Sequence, residues 1–180
     1  GGVIGSSPAL ANNSIFLGSA DGYLYQLNAS NISQQINNVS IGAVRISPAV
    51  ANEYVYVAGG SYSGKGGSVN VFYQLNSSNI SQQIANFTPL GGGSQTGISA
   101  SHDSIYFGTT IAGGAGGMIY QLNATNVSQQ ITNVTIPYGA AITSTPAVAN
   151  GYTYLGFSGT FLGIVYQLNA INISLPNVCF

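Results

Sequence analysis

The string Tyr25-Gln26-Leu27-Asn28 returns as Tyr73-Gln74-Leu75-Asn76, Tyr120-Gln121-Leu122-Asn123 and Tyr166-Gln167-Leu168-Asn169, at intervals of 48, 47 and 46 residues. A chain of near-copies has few architectures open to it, because one short unit cannot bury its apolar faces alone and must stack on the next. Downstream, Asn31-Ile32-Ser33-Gln34-Gln35-Ile36 recurs as Asn79-Ile80-Ser81-Gln82-Gln83-Ile84 and Asn126-Val127-Ser128-Gln129-Gln130-Ile131, then degenerates to Asn172-Ile173-Ser174-Leu175. Upstream, Ser7-Pro8-Ala9-Leu10 matches Ser47-Pro48-Ala49-Val50 and Thr145-Pro146-Ala147-Val148, while the third copy has lost its proline.

Each copy continues into a β-rich run, such as Tyr54-Val55-Tyr56-Val57 or Ser104-Ile105-Tyr106-Phe107, where β-branched and aromatic residues alternate between Gly and Asn. Before these runs stand Asn12-Asn13, Asn52-Glu53, His102-Asp103 and Asn150-Gly151, dipeptides mostly suited to the positive φ of a tight hairpin. The third strand of each copy ends in Tyr-Gln-Leu-Asn and the fourth is built around Ser-Gln-Gln-Ile. No segment has a helical period with caps. The chain therefore reads as all-β and β-propeller-like, with four repeats of about 46–48 residues, each a four-stranded antiparallel blade. Blade limits fall near 1–38, 39–86, 87–133 and 134–180 of a single repeat domain, 1–180. Strand alternation suggests that if Tyr25 and Leu27 face the core, Gln26 and Asn28 face solvent.

Charged residues make up only 3% of the 180, and 45% are apolar. An ordinary soluble protein carries roughly 25% charge, so this chain needs another source of solubility. With Arg45 and Lys65 as its fixed cations, it has no means of holding a phosphate backbone or an anionic membrane surface. No apolar run reaches the ~20 residues of a membrane-spanning helix. An outer-membrane β-barrel, whose alternating signal is weaker, stays open as a second alternative. The lone Cys179 reads as a small apolar residue or as the donor of an intermolecular disulfide. The chain starts at Gly1 without an initiator Met or basic leader, as a processed form or fragment would.

Asn-x-Ser/Thr occurs at Asn12, Asn28, Asn31, Asn38, Asn76, Asn79, Asn86, Asn123, Asn126, Asn133 and Asn172, which is 11 sites. Random placement of these residue types gives roughly three. Most are repeat-equivalent: Asn28, Asn76 and Asn123; Asn31, Asn79, Asn126 and Asn172; Asn38, Asn86 and Asn133. The first two classes fall at the turn between third and fourth strands, the last near the end of the outermost strand. Turn preference for Asn and Ser accounts for the residue types. Glycans on that rim would also supply the missing hydrophilicity and shield the edge strands.

The side chains of Asp21, Arg45, Glu53, Lys65, His102 and Asp103 are too scattered to suggest general acid–base catalysis. His102-Asp103 occupies a hairpin position. One His and one Cys far apart make no zinc site, and the scattered carboxylates make no calcium loop. The Gly-rich stretches at 59–60, 64–67, 91–93 and 113–117 precede no helix that could hold a phosphate, and read as loops. No catalytic, cofactor-binding or metal residue is expected.

The unit resembles the PQQ-like, quinoprotein-type β-propeller repeat, through Tyr25-Gln26-Leu27-Asn28-Ala29 and Ser47-Pro48-Ala49-Val50, and the likeness covers nearly the whole chain. In that family a blade closes with a Gly and then a Trp that docks on its neighbour. Here the Gly position is Ile32, Ile80 or Val127 and the Trp position Ile36, Ile84 or Ile131, and the chain has no Trp. The resemblance implies the blade plan with docking on aliphatic and Tyr side chains; it does not carry the enzyme activity. The expectation is a non-catalytic, N-glycosylated extracellular or cell-surface structural protein, self-assembling with identical subunits through terminal faces near Gly1-Gly2-Val3-Ile4 and Val178-Cys179-Phe180. The alternative is a ligand-binding or inactive PQQ-like propeller module.

Overall fold

The computed structural model describes residues 2–63, 67–90, 96–101, 103–110, 116–136, 141–142, 144–158, 163–173 and 176–179. The chain divides into two compact units, Gly1–Thr88 and Pro89–Phe180. Lys65, His102 and most of the Gly-rich loops lie outside the described residues.

The first unit holds two antiparallel sheets. β1 (Ala9–Ala11), β2 (Ser14–Gly18), β3 (Tyr23–Asn28) and β4 (Asn31–Ser40) form one, in the order β1-β2-β3-β4. β5 (Ala49–Ala51), β6 (Tyr54–Ser63), β7 (Gly67–Asn76) and β8 (Gln83–Phe87) repeat the same meander. In the second unit β9 (Ser99–Ala100), β10 (Ser104–Thr110), β11 (Gly117–Asn123) and β12 (Gln130–Ile136) form the third sheet. The fourth contains β13 (Ala141–Ile142), β14 (Ala147–Ala149), β15 (Tyr152–Ser158), β16 (Gly163–Asn169) and β17 (Pro176–Cys179), with β13 and β14 both pairing to β15. The four-stranded antiparallel blade is thus the repeating element, and no helix occurs among the described residues. A membrane barrel closes one sheet on itself, whereas these strands form four separate sheets.

Turn chemistry sets the first hairpin of the first, second and fourth blades. Asn12 and Asn13 have φ of 49° and 56°, Asn52 and Glu53 of 50° and 64°, and Asn150 and Gly151 of 53° and 79°. Positive φ at both central residues is the type I′ signature, whose twist matches that of the flanking strands.

The outer strands carry a shared irregularity. Gln26 pairs with Asn37 and Leu27 with Gln35, so the register skips Ile36. The same step skips Ile84 opposite Gln74 and Leu75, and Ile131 opposite Gln121 and Leu122. A bulge re-aims the side chain it displaces, and all three isoleucines are partly exposed. The position taken by Trp in the PQQ-like repeat is therefore not part of the buried clusters here.

Docking falls to other residues. In the first unit Phe16, Leu24, Val44, Val55, Val57, Leu75 and Ile80 share one buried cluster, with Val39, Val50 and Tyr73 against it. In the second, Tyr106, Ile119, Ile136, Leu155, Phe157, Leu168 and Ile173 share another. Each cluster draws on both blades of its unit, and aliphatic side chains with Tyr replace the missing Trp. Contact is close enough that a Cβ on Gly18 would lie 2.1 Å from Val44 Cγ1.

One expectation from strand alternation fails. Gln26, Gln74 and Gln121 are buried, on the same face as Leu24, Phe72 and Ile119. Alternation sorts side chains into two faces, but within each unit the adjoining blade covers Gln26 and Gln121 on a face that a free sheet would leave in water.

Candidate glycan-bearing turns

The turn from the third to the fourth strand is built twice over from asparagine. Asn28, Asn76 and Asn123 each accept a hydrogen bond at Oδ1 from the backbone N–H two residues on, that of Ser30, Ser78 and Thr125, at 2.8 Å in each case. Their amides donate back across the turn to Oε1 of Gln34, Gln82 and Gln129, at 2.9, 3.2 and 3.3 Å. Three residues later the geometry repeats: the N–H groups of Ser33, Ser81 and Ser128 donate to Oδ1 of Asn31, Asn79 and Asn126 at 3.2, 3.2 and 3.1 Å. These are Asx turns, in which a side-chain carbonyl stands in for a backbone one.

In the fourth blade the N–H of Ile171 donates to Asn169 Oδ1 at 2.8 Å. Asn169 is followed by Ala170 and Ile171 and is not a sequon, so the fourth-blade turn forms without a hydroxyl residue, whereas in the third blade the Thr125 hydroxyl also donates to Asn123 Oδ1, at 2.7 Å.

Asn28, Asn76, Asn123 and Asn126 are half-buried, whereas Asn31 and Asn79 are exposed. On the outer strands Asn38 and Asn86 are exposed and Asn133 is half-buried. Asn172 is exposed beyond β16, and its partner Ser174 lies outside the described residues. Asn12 belongs to a different setting: it sits in the β1–β2 turn and donates through Nδ2 to Ser77 Oγ at 3.1 Å. The repeat-equivalent sites thus gather along the outer side of each blade, at the last turn or on the last strand.

Blade-to-blade bonds made by two glutamines flank these turns. Gln26 Nε2 donates to the carbonyl of Ser77 at 3.1 Å and to Ser14 Oγ at 3.0 Å. Gln121 Nε2 likewise reaches the carbonyl of Ala170 at 2.9 Å, which the Tyr106 hydroxyl also engages. Ser77 and Ala170 hold the same repeat position, directly after the third-strand Asn. The sequence signal for this role was the Gln common to all four strings, which alternation had assigned to solvent. Asn37 adds a further pair in the first unit, donating to Asn79 Oδ1 at 2.9 Å and accepting from Ser81 Oγ at 3.2 Å.

Among titratable groups, Asp21 is held at a pKa of about 2, below its ordinary 3.8, chiefly by the N–H of Gly2, with Tyr25 and Tyr23 also donating to it. Glu53 and Asp103 are exposed turn residues and Arg45 is exposed. Asp103 borders a cleft in the second unit with Tyr106, Gln121, Asn123 and Ile171. Among the described residues no group of three or more His, Cys, Asp or Glu could hold a metal ion. No helix of theirs is long and apolar enough to cross a membrane.

No family model matches the chain, and no curated protein matches it in sequence. Its architecture is widely shared. BamB from Moraxella catarrhalis superposes with a TM-score of 0.71 at 15% identity, over 99% of this chain and 49% of that one. The quinohemoprotein alcohol dehydrogenase from Comamonas testosteroni gives 0.75 at 9% identity, over 99% of this chain and 34% of the other. The computationally designed Ika4 protein gives 0.61 at 11% identity and is covered over 91% of its length. The chain thus spans about half of BamB and a third of the dehydrogenase. At these identities the likeness is one of fold: this chain is an all-β, propeller-type repeat protein of four antiparallel blades.

Proposed function

We propose that the chain is a non-catalytic, N-glycosylated structural protein of the cell exterior, working as one subunit of a fibre or lattice of identical copies. The observation that carries this reading is the placement of the sequons. Ten of the 11 lie at the last turn or on the last strand of a blade, most of them at repeat-equivalent positions. Sugars attached there supply hydrophilic bulk to a chain with 3% charged residues. They also cover the far edges of the last strands, which have no partner strand among the described residues, β4 above all, whose 10 residues carry neither charge nor proline.

Glycopeptide mapping of native material tests the reading. Several of Asn28, Asn31, Asn76, Asn79, Asn123 and Asn126 are expected to carry glycans, with crowding leaving one of some pairs empty. All six unmodified would overturn it.

A further inference from the structure

The first three blades each set two sequon asparagines three residues apart in one turn, and the two amides of a pair are used differently. In the first of each pair, Asn28, Asn76 and Asn123, both ends of the amide are engaged. Oδ1 takes the N–H two residues on, and Nδ2 donates to Oε1 of Gln34, Gln82 or Gln129. All three are half-buried. In the second, Asn31, Asn79 and Asn126, the bonds end on Oδ1. Even the bond that reaches Asn79 from the adjoining blade, given by Asn37 Nδ2, ends on its Oδ1. Among the described residues no group accepts a hydrogen bond from Nδ2 of these three. Asn31 and Asn79 are exposed and Asn126 is half-buried.

The fourth blade separates the two positions in sequence. Asn169 keeps the turn bond, from the N–H of Ile171 at 2.8 Å, and is not a sequon. Asn172-Ile173-Ser174 keeps the sequon, although the Gln-Gln-Ile that follows in the other blades has become Leu175-Pro176-Asn177.

We infer that the paired asparagines divide the work: the first holds the turn, and the second, at Asn31, Asn79, Asn126 and Asn172, is the one that carries the glycan. Attachment forms a bond from Nδ2 to C1 of the sugar and breaks the C1–O bond of a phosphate-activated glycosyl donor. The phosphate leaves with the electron pair, and Nδ2 gives one of its two protons to a base of the transferring enzyme. An Asn amide has two N–H donors and one carbonyl. On the second asparagine the proton lost is one that no protein group uses, and Oδ1 keeps its Asx turn. On the first, a bulky sugar must be seated on a half-buried nitrogen that already closes the turn. This selection rests on the glycoprotein part of the proposed function and names the amides that serve it.

The test uses the full chain made in the cell that glycosylates it, as parent, Ser30→Ala and Ser33→Ala. The first variant removes the Asn28 sequon and the second the Asn31 sequon, and neither removes an Asn. Both serines are exposed, so each variant folds, which circular dichroism checks. Intact mass of Ser33→Ala is expected to fall by one glycan, and that of Ser30→Ala only by the hydroxyl oxygen. Glycopeptide mapping of the parent is expected to find higher occupancy at Asn31, Asn79 and Asn126 than at Asn28, Asn76 and Asn123. A glycan lost from Ser30→Ala and not from Ser33→Ala, equal losses from both, or a glycan that moves to Asn28 in Ser33→Ala overturns the division of work and leaves the glycoprotein reading standing. A parent with all six asparagines unmodified overturns both.

Discussion

Single residues here do more backbone work than chemistry. Glu53 occupies a left-handed turn position at φ 64°, where the fourth blade has Gly151 at 79°. That conformation costs an L-residue about 1–2 kcal/mol, partly offset in a glycine by the greater freedom of its unfolded chain. Glu53→Gly is expected to raise stability by up to about 1 kcal/mol, read as a higher urea midpoint; a lower midpoint would show that the turn is not strained. Asp21 gives a pH signature. Its folded pKa of about 2 lies below the ordinary 3.8, so its contribution to stability is present above 3.8 and lost as pH falls through about 2. Asp21→Asn is expected to flatten the acid limb of the stability profile over that window and to leave the slope near neutrality unchanged. An acid limb identical to that of the parent would contradict the bonding of Asp21 to Gly2 and Tyr25.

At the scale of the element, the blade is held to its neighbour by an amide that the strand pattern could not place. The hairpin turns were legible because Asn12-Asn13, Asn52-Glu53 and Asn150-Gly151 favour positive φ by local chemistry alone. Gln26 was not, because alternation fixes which residues share a face and is silent on what covers it. The same holds for Ile32 and Ile80, which stand in the same Asn-Ile-Ser-Gln-Gln-Ile string, one exposed and the other buried. Ile80 enters the cluster that the two blades of the first unit share, and Ile32 does not. Gln26→Leu leaves the Ser77 carbonyl without its amide donor inside the first unit and is expected to cost about 1–3 kcal/mol. Gln167→Leu, at a half-buried position, should change monomer stability by less than about 0.5 kcal/mol. Equal losses in the two variants, measured by urea unfolding, would contradict the docking role.

Across the whole molecule, the repeat was readable because its strings return at near-constant spacing, and the four blades follow it closely. The candidate glycan sites were readable as turns for the same local reasons, but their degree of exposure was not. Asn28 and Asn31 share a turn, yet one is half-buried through its bond to Gln34 and the other exposed. The proposed glycans would account for a chain with so little charge and so many sequons along its blades. Intact mass of native material before and after enzymatic deglycosylation tests this most directly. The account predicts a native mass well above the 18.4 kDa of the polypeptide, returning close to 18.4 kDa once the sugars are removed. A native mass of 18.4 kDa, unchanged by the treatment, would contradict it.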